Sequence, residues 1–235
     1  MQCVILAGGL ATRLKPITEK IPKAMVPVNG RPFLEYQLEL LRKNGIDDIV
    51  LCVGYLADRI VSYFGDGSAF DVNLRYSYEH DELLGTGGAI RNALSMLNER
   101  FFVLYGDSYL DIVYAYVCRE YEKKNCPAML VVYQNEGRWD TSNVVFVDGW
   151  VRVYNKTRPV QQMRYIDYGL SILSRSLFEN MPAIQKWDLS VLYTALAADG
   201  KMAGFEVHKR FYEIGSKNGL REFSEIVAAG GQVKR

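Results

Sequence analysis

The sequence is poor in the residues that form disulfide bonds and that most often bind transition metals. Its 235 residues include 4 cysteines and 2 histidines, and the cysteines show no CxxC spacing. His80 and His208 are isolated in the sequence, outside any pattern with metal-ligand spacing. We therefore expect reduced cysteines, and structural or surface roles for the two histidines.

Long apolar runs and an excess of one charge are also lacking. No apolar run approaches the roughly 20 residues that a bilayer span requires, and the N-terminus lacks the basic and apolar regions of a signal peptide. The 28 Lys and Arg residues nearly balance 27 Asp and Glu, for a formal net charge of +1. Nothing here supports nucleic acid or a membrane as a partner, and we expect a cytoplasmic protein.

The first half of the chain alternates between strand and helix patterns, which indicates an α/β fold. In this rhythm each helix connects two parallel strands, so a parallel sheet with helices on both faces is expected. Thr86 is predicted to cap the third helix. The predicted strands are 2–7, 49–53, 72–76 and 101–105, and the predicted helices are 33–44, 56–64, 87–97 and 111–124.

The second half is richer in short strands, with a hairpin turn predicted at Asp148-Gly149. No linker, low-complexity tract or repeat interrupts the chain, so we expect one domain over 1–235, with two lobes that meet near residue 110. The predicted strands are 128–134, 143–147, 150–154, 168–173, 201–207 and 210–214, and the predicted helices are 188–198 and 216–229.

The first 30 residues carry the most informative pattern. The apolar run Cys3–Ala7 predicts a buried strand, and Gly8-Gly9 follow it directly. Because glycine has no Cβ atom, the backbone there can approach a ligand closely. Arg13 and Lys23 then bring positive charge to the same end of the strand, where ligands bind in open α/β sheets. Exposed backbone N–H groups and nearby cations suit a polyphosphate.

Five segments together resemble the signature of the sugar-1-phosphate nucleotidyltransferases. They occur in the family's order and extend over essentially the whole chain. Ala11 and Ala24 replace a usual Gly and Pro, without loss of a charged group. The segments are Leu6-Ala7-Gly8-Gly9-Leu10-Ala11-Thr12-Arg13-Leu14, Ile21-Pro22-Lys23-Ala24-Met25-Val26-Pro27-Val28, Glu79 to Ala89, Tyr105-Gly106-Asp107-Ser108, and Phe211-Tyr212-Glu213-Ile214-Gly215-Ser216.

The resemblance is strongest to the short members, such as the heptose-1-phosphate guanylyltransferases and the N-acetylmuramate-1-phosphate uridylyltransferases. It implies the nucleotide-diphospho-sugar transferase (GT-A-like) fold: a Rossmann-like mixed, mainly parallel sheet with a small β-rich sugar-binding lobe. It also implies an enzyme that condenses an NTP with a sugar 1-phosphate to give an NDP-sugar and pyrophosphate, with Mg²⁺, for surface glycan or cell-wall synthesis. Residues 1–110 would then bind the nucleotide and 111–235 the sugar phosphate, in a monomer or homodimer.

Three residues are assigned to catalysis on this resemblance. Arg13 is assigned to the β- and γ-phosphates, because a planar guanidinium suits bidentate phosphate contact. Lys23 is assigned to the α-phosphate and the incoming sugar phosphate. Asp107 is the first expected Mg²⁺ ligand, and Glu213 the second, although the family usually has Asp at the latter position; both are hard oxygen ligands.

The resemblance also assigns residues to the two substrates. On the sugar side, Lys156 aligns with the phosphate-binding Lys, while Gly169 would admit the sugar close to the backbone. Asn155 and Asp167 replace a usual Glu and Asn, which implies an altered sugar pocket in which Asp167 accepts hydroxyl hydrogen bonds. The residues assigned to the nucleotide are Leu6, Ala7, Gly8, Gly9, Glu79, Gly85 and Thr86.

Other functions are compatible with parts of the pattern. The acceptor could be a non-sugar phosphate, as in the choline-phosphate cytidylyltransferases of the same fold, or the protein could be a non-catalytic subunit that binds nucleotide or sugar phosphate. Gly85 to Gly88 could form only a tight helix entry. A nicotinamide-dependent dehydrogenase is disfavoured because Gly8-Gly9-Leu10-Ala11 does not make GxGxxG. Guanine and uracil lead the expected bases, followed by cytosine and thymine.

Overall fold

The fold is described from a computed structural model, which covers residues 1–10, 12–79, 82–182 and 185–230. His80 lies outside these ranges. The strands within them are β1 (Gln2–Leu6), β2 (Pro27–Val28), β3 (Arg31–Pro32), β4 (Asp48–Val53), β5 (Asn73–Tyr78), β6 (Arg100–Tyr105), β7 (Ser108–Tyr109), β8 (Ala128–Gln134), β9 (Val144–Val147), β10 (Trp150–Tyr154), β11 (Tyr165–Ser174), β12 (Met202–Val207) and β13 (Tyr212–Glu213).

The helices follow the predicted positions closely. Those within the described ranges are α1 (Phe33–Lys43), α2 (Ala57–Phe64), α3 (Gly85–Asn92), α4 (Tyr114–Lys124), α5 (Leu189–Ala198) and α6 (Lys217–Ala228). Short 3₁₀ turns include Thr12–Leu14, Lys23–Met25 and Leu94–Met96. The last of these replaces the end of the helix predicted over 87–97.

One large sheet runs through the described residues in the order β5-β4-β1-β6-β11-β8-β12-β10-β9. Its first four strands are parallel neighbours, as predicted, and β8 is also parallel to β12. The α/β class with a mixed sheet is therefore confirmed. The other neighbours are antiparallel, so parallel pairing prevails only in the first half. The β-rich second half continues this sheet, because its short connections, such as the hairpin at Asp148-Gly149, favour antiparallel pairs.

Helices cover both faces of the sheet because side chains alternate along each strand. On β1, Cys3 and Ile5 enter the core cluster that contains side chains of α1, α2 and α4. Val4 faces the opposite cluster, which contains side chains of α3 and α5. All four cysteines lie within the described residues and are free thiols. Among the described helices, none is long and apolar enough to cross a membrane.

Helix α6 is attached to the rest of the molecule through a separate aromatic cluster. Phe223 is buried there with Phe33 and Tyr36 of α1 and with Tyr212 of β13. Its ring meets those of Phe33 and Tyr36 edge-on, with centroid distances of 5.2 and 5.6 Å. This cluster fixes the C-terminal helix against the N-terminal half of the chain.

Replacing Phe223 with Ala is expected to lower the free energy of unfolding by about 3–5 kcal/mol, because it removes a fully buried aromatic ring and leaves a cavity. Urea denaturation measures the change. Val191→Ala on the exposed face of α5, where Val191 is 63% exposed, is the control and should cost less than about 0.5 kcal/mol. Equal effects of the two substitutions would show that the cluster does not anchor α6.

Candidate functional site

A cavity of about 270 Å³ lies at the carboxyl ends of β1 and β6. These strands are parallel and in register, Leu6 beside Tyr105, so their following loops meet at one sheet edge. The Gly106 N–H donates to the Leu6 carbonyl at 3.0 Å and joins the two loops. The cavity is lined by every residue predicted to bind the nucleotide, together with Lys23 and Asp107: Leu6, Ala7, Gly8, Gly9, Lys23, Glu79, Gly85, Thr86 and Asp107.

Lys23 and Asp107 form an ion pair at one end of this cavity. Lys23 lies in the 3₁₀ turn Lys23–Met25, and Asp107 lies in the loop between β6 and β7. Their side chains are 17% and 26% exposed. Water screens a pair at this depth less than a surface pair, so each group has a charged partner before any ligand binds.

Glu213 reaches the same end of the cavity from the C-terminal part of the chain. The short strands β7 and β13 pair antiparallel and place Glu213 opposite Ser108, and the Ile214 N–H donates to the Asp107 carbonyl at 2.9 Å. Gly215 marks the point where the charged groups converge. A Cβ built on it would lie 2.5 Å from Glu213 Oε2, 3.0 Å from Arg13 Nη2 and 3.1 Å from Asp107 Oδ2.

The two carboxylates fit a magnesium ion better than a transition metal. No group of three or more His, Cys, Asp or Glu side chains able to hold a metal occurs among the described residues. Mg²⁺ needs only one or two carboxylates when substrate phosphates supply further oxygens. Glu213 is already oriented by the protein, because Oε1 accepts from the Ser216 hydroxyl at 2.7 Å and Oε2 from the Gly215 N–H.

Glu79 places a partly buried carboxylate in the wall of the cavity near Gly8. Its Oε1 lies against Gly8, at the position that a Cβ there would occupy. Burial raises the pKa of the Glu79 carboxyl above its usual range, and the hydrogen bond from the Leu84 N–H opposes this shift. A carboxylate accepts hydrogen bonds only, so this part of the cavity suits a ligand group that donates them.

The glycines that begin α3 have a structural reason of their own. The Gly87 N–H donates to the Trp187 carbonyl at 3.1 Å, and a Cβ on Gly85 would lie 2.6 Å from that same carbonyl. The Trp187 ring rests where a Cβ of Gly87 would be. Gly85 therefore lines the cavity and also packs against Trp187. Its contact with the nucleotide stays a prediction.

Thr86 does not cap α3 as predicted. The helix begins two residues earlier than predicted, at Gly85, and Leu84 is its N-cap residue. The Thr86 hydroxyl instead accepts from the Leu189 N–H at 2.7 Å, one of the unpaired donors at the start of α5. Thr86 thus links the wall of the cavity to α5.

Lys156 lies beside the cavity rather than in it. Its Nζ is 3.4 Å from the Tyr105 hydroxyl and 3.8 Å from Asp188 Oδ1, and it lies over the Tyr105 ring at 5.2 Å from the centroid. Tyr105 also lines the cavity. The tyrosine therefore forms a wall between the predicted nucleotide side and the predicted sugar-phosphate side.

Asp167 and Gly169 lie next to Tyr105. Asp167 Oδ1 accepts from the Gly169 N–H at 2.9 Å, and Oδ2 accepts from the Tyr154 hydroxyl at 3.0 Å. Burial raises the Asp167 pKa, and the positive charge of Lys156 opposes the shift. The Tyr105 side chain also hydrogen-bonds this carboxylate. The contact of Asp167 with a sugar hydroxyl stays a prediction.

The sequence alone did not single out Tyr105, Trp187 or Asp188 as parts of the site. Tyr105 is inside the predicted metal-binding segment, where its position gives a hint. Trp187 carries no motif, and Asp188 carries no signal except its place at the start of the predicted helix 188–198. His208 is on the surface, as expected, with its side chain 84% exposed.

Comparisons with known proteins agree with this geometry. A model of the nucleotidyl transferase family matches residues 2–140. The chain is 36% identical to D-glycero-alpha-D-manno-heptose 1-phosphate guanylyltransferase of Campylobacter jejuni over 187 residues, which cover 80% of this chain and 82% of that enzyme. It is 30% identical to UTP–glucose-1-phosphate uridylyltransferase of Synechocystis over 205 residues, but spans only 53% of that protein.

A solved structure extends the similarity to the whole fold. HddC from Yersinia pseudotuberculosis complexed with GMP-PN superimposes with a TM-score of 0.80 at 29% identity, covering 96% of this chain and 99% of that one. The family model covers more than half of the sequence, and the Campylobacter enzyme is similar over most of both chains. The chain therefore belongs to the nucleotidyl transferase family.

Proposed function

We propose that this protein transfers a nucleotidyl group from an NTP to a sugar 1-phosphate, giving an NDP-sugar and pyrophosphate for glycan synthesis. The observation that carries the proposal is the convergence of Arg13, Asp107 and Glu213 on Gly215, beside a cavity walled by the backbone after β1. This arrangement provides cations and carboxylates at one end of a pocket of nucleoside size. The named relatives act in their own cases on heptose 1-phosphate and glucose 1-phosphate.

The reaction needs alignment more than it needs a base. A sugar-1-phosphate oxygen is already anionic at neutral pH, so it can form a bond to the α-phosphorus while the bond to the pyrophosphate oxygen breaks. The protein must bring two anions together and stabilise the charge that moves to pyrophosphate. We assign the leaving phosphates to Arg13, and the region between the α-phosphate and the acceptor to Lys23.

Asp107 and Glu213 are the residues that would hold Mg²⁺. A bound Mg²⁺ would supply Lewis-acid stabilisation of the phosphate charge. Asp107 is paired with Lys23, so the carboxylate that would hold the metal and the ammonium that would bind phosphate lie side by side. The Ser216 hydroxyl and the Gly215 N–H orient the Glu213 carboxylate.

Guanine is the base that the cavity suits best. Its Watson–Crick edge presents two adjacent donors, N1–H and N2–H, which match the two oxygens of a carboxylate such as Glu79. The 36% identity to a guanylyltransferase supports the same choice. Uracil offers a single donor, N3–H, and is the second candidate. A heptose 1-phosphate is the corresponding first candidate for the acceptor.

The division of labour along the chain supports a nucleotide half over 1–110. Among the described residues, those that line the cavity all lie between Leu6 and Asp107, whereas Lys156 and Asp167 come from the second half. The Asn155 Oδ1 accepts from the backbone N–H groups of Thr157 and Arg158 at 2.9 and 2.8 Å. We further propose a cytoplasmic monomer or homodimer.

The proposal is tested by pyrophosphate release with Mg²⁺. Each of GTP, UTP, CTP, ATP and dTTP is combined with heptose, mannose, glucose, N-acetylglucosamine and N-acetylmuramate 1-phosphates, with choline phosphate as a non-sugar acceptor. We expect release that requires GTP and heptose 1-phosphate together. Tight NTP binding without release from any pair would indicate a binding subunit and contradict the proposal.

Asp107→Asn is expected to lower kcat by at least about a hundredfold, because it removes the charge that balances the metal and the phosphates while preserving side-chain size. Steady-state pyrophosphate release measures the loss. Asp111→Asn is the control, since Asp111 pairs with Lys209 at the surface, and its kcat should stay within about twofold. Full activity of Asp107→Asn would remove Asp107 from the reaction.

Gly215→Ala is expected to lower kcat by about tenfold to a hundredfold with little change in the melting temperature. The added methyl group would push Glu213, Arg13 and Asp107 apart, and small displacements of catalytic groups have effects of this size. The backbone of Gly215 is not in the left-handed region, so Ala is tolerated locally. Unchanged kinetics would show that the groups converging on Gly215 are not the reacting ones.

Glu79→Gln is expected to raise the KM for GTP at least about tenfold, with a smaller effect on kcat, because the loss of one acceptor oxygen weakens binding of the base. Steady-state kinetics measures both constants. Glu35→Gln is the control: Glu35 is a buried carboxylate that accepts from Arg31 and Tyr63 at 2.7 and 2.6 Å, but it lies on α1. An unchanged KM for GTP in Glu79→Gln would show that Glu79 does not contact the base.

The same variant has a pH signature. Because burial raises the pKa of Glu79, this group stabilises the fold most below its unfolded pKa, and the contribution is lost as pH rises through the folded pKa. Glu79→Gln should therefore melt higher than the wild type at pH 8, and the difference should shrink at pH 4. In the wild type, the KM for GTP should rise as pH falls through the folded pKa.

A further inference from the structure

Gln37 of α1 is a buried amide that holds the Asp107 loop from behind. It is 1% exposed, and its Nε2 donates to the Tyr105 carbonyl at 3.0 Å and to the Ser108 carbonyl at 2.8 Å. Both partners are carbonyl oxygens, which only accept, so the NH₂ group must face them. The two carbonyl partners thus determine the orientation of the Gln37 amide.

The two carbonyls lie on either side of Gly106-Asp107. Gln37 therefore spans the loop that carries the carboxylate, joining its first and last residues to one helix. The other backbone ties of this loop run to β1 and to Ile214, through the Gly106 N–H and the Asp107 carbonyl. Gln37 supplies the tie from the side of α1.

Helix α1 is also connected to Lys23. The Phe33 N–H, at the start of α1, donates to the Val26 carbonyl at 3.0 Å, immediately after the 3₁₀ turn that carries Lys23. Ala24, Val26 and Phe33 are buried, which makes this connection rigid. Gln37 thus links the helix behind Lys23 to the loop that carries Asp107.

The position is one at which an apolar residue would suit the core. Gln37 is next to Leu38 in sequence and shares α1 with Leu34 and Leu41, all fully buried. Within the part of the chain that the structure describes, the Gln37 Oε1 is buried without a hydrogen-bond partner. Such a group destabilises a core, so stability alone does not explain a glutamine here.

We propose that Gln37 is a positioning residue, which fixes the loop of Asp107 relative to Lys23 and so sets the geometry in which Asp107 binds the metal. The proposal rests on the proposed function for the role of Asp107. Gln37 itself touches neither substrate nor metal. Partners behind a metal ligand typically change metal affinity or activity by about 10- to 100-fold when lost.

Gln37→Met tests this, with Gln2→Met as a matched control. Gln2 is 2% exposed, and its Nε2 donates to Asp48 Oδ2 and the Met96 carbonyl at 3.0 and 3.1 Å. It lies at the other end of β1, at the edge of the sheet remote from the cavity. Both variants lose a buried amide with two accepting partners, so a purely structural effect should appear in both.

Three measurements separate the roles. The first is the Mg²⁺ concentration that gives half-maximal pyrophosphate release, which is compared with the KM for sugar 1-phosphate. The second is Mn²⁺ binding to the protein alone, followed by electron paramagnetic resonance. The third is hydrogen exchange of the Gly106 and Ile214 amides. In Gln37→Met we expect about a tenfold or larger rise in the Mg²⁺ requirement, weaker Mn²⁺ binding and faster exchange, with a KM changed less than threefold.

Gln2→Met should leave all three near their wild-type values. Gln37→Asn, whose shorter amide cannot span both carbonyls, should repeat the effect and replaces Gln37→Met if that variant does not fold. Equal behaviour of Gln37 and Gln2 variants in metal dependence and exchange would overturn the proposal. If the wild type releases no pyrophosphate, the proposed function fails, while Mn²⁺ binding and hydrogen exchange still decide the role of Gln37.

Discussion

The parallel register between β1 and β6 is the constraint on which the rest of the site depends. With Leu6 beside Tyr105, the backbone after β1 and the loop after β6 leave the sheet at the same height. Residues nearly a hundred positions apart thereby form the two walls of one cavity. A slip of one residue would turn every side chain of the strand to the other face, and the buried residues on both faces of β1 oppose such a slip.

A smaller pairing extends this arrangement to the end of the chain. The two-residue strands β7 and β13 contribute little area, yet they set Glu213 beside Asp107. Helix α6 then secures the segment through Phe223 in its aromatic cluster. The positions of the Asp107 and Glu213 carboxylates therefore depend on the packing of Phe223, a residue that touches neither of them.

The sequence predicted most elements of the fold because their periodicity is local. The strands 128–134 and 150–154 match the observed bounds, since alternation and turn residues alone define them. It did not predict that the later strands continue the first sheet, because strand order depends on contacts between distant segments. It also placed a cap at Thr86, whose hydroxyl is used by α5, a partner that no local pattern reveals.

The same distinction holds for the residues around the cavity. Gly8 and Asp107, which line it, stand out in the sequence because their types and spacing reflect their own chemistry. Tyr105 lies inside a motif segment, but its place in the wall does not follow from the motif. Gln37 binds backbone carbonyls, a role that leaves no motif.

The described residues that line the cavity all lie within residues 6–107. This arrangement bears on how substrate preference can evolve. On the proposed function, substitutions near Tyr154, Lys156 and Asp167 would reshape the acceptor side and leave the residues that line the cavity unchanged. Tyr105 would be felt on both sides, since it lines the cavity and contacts Lys156. New acceptor preferences would then arise through substitutions in the second half of the chain, with Tyr105 constrained by both substrates.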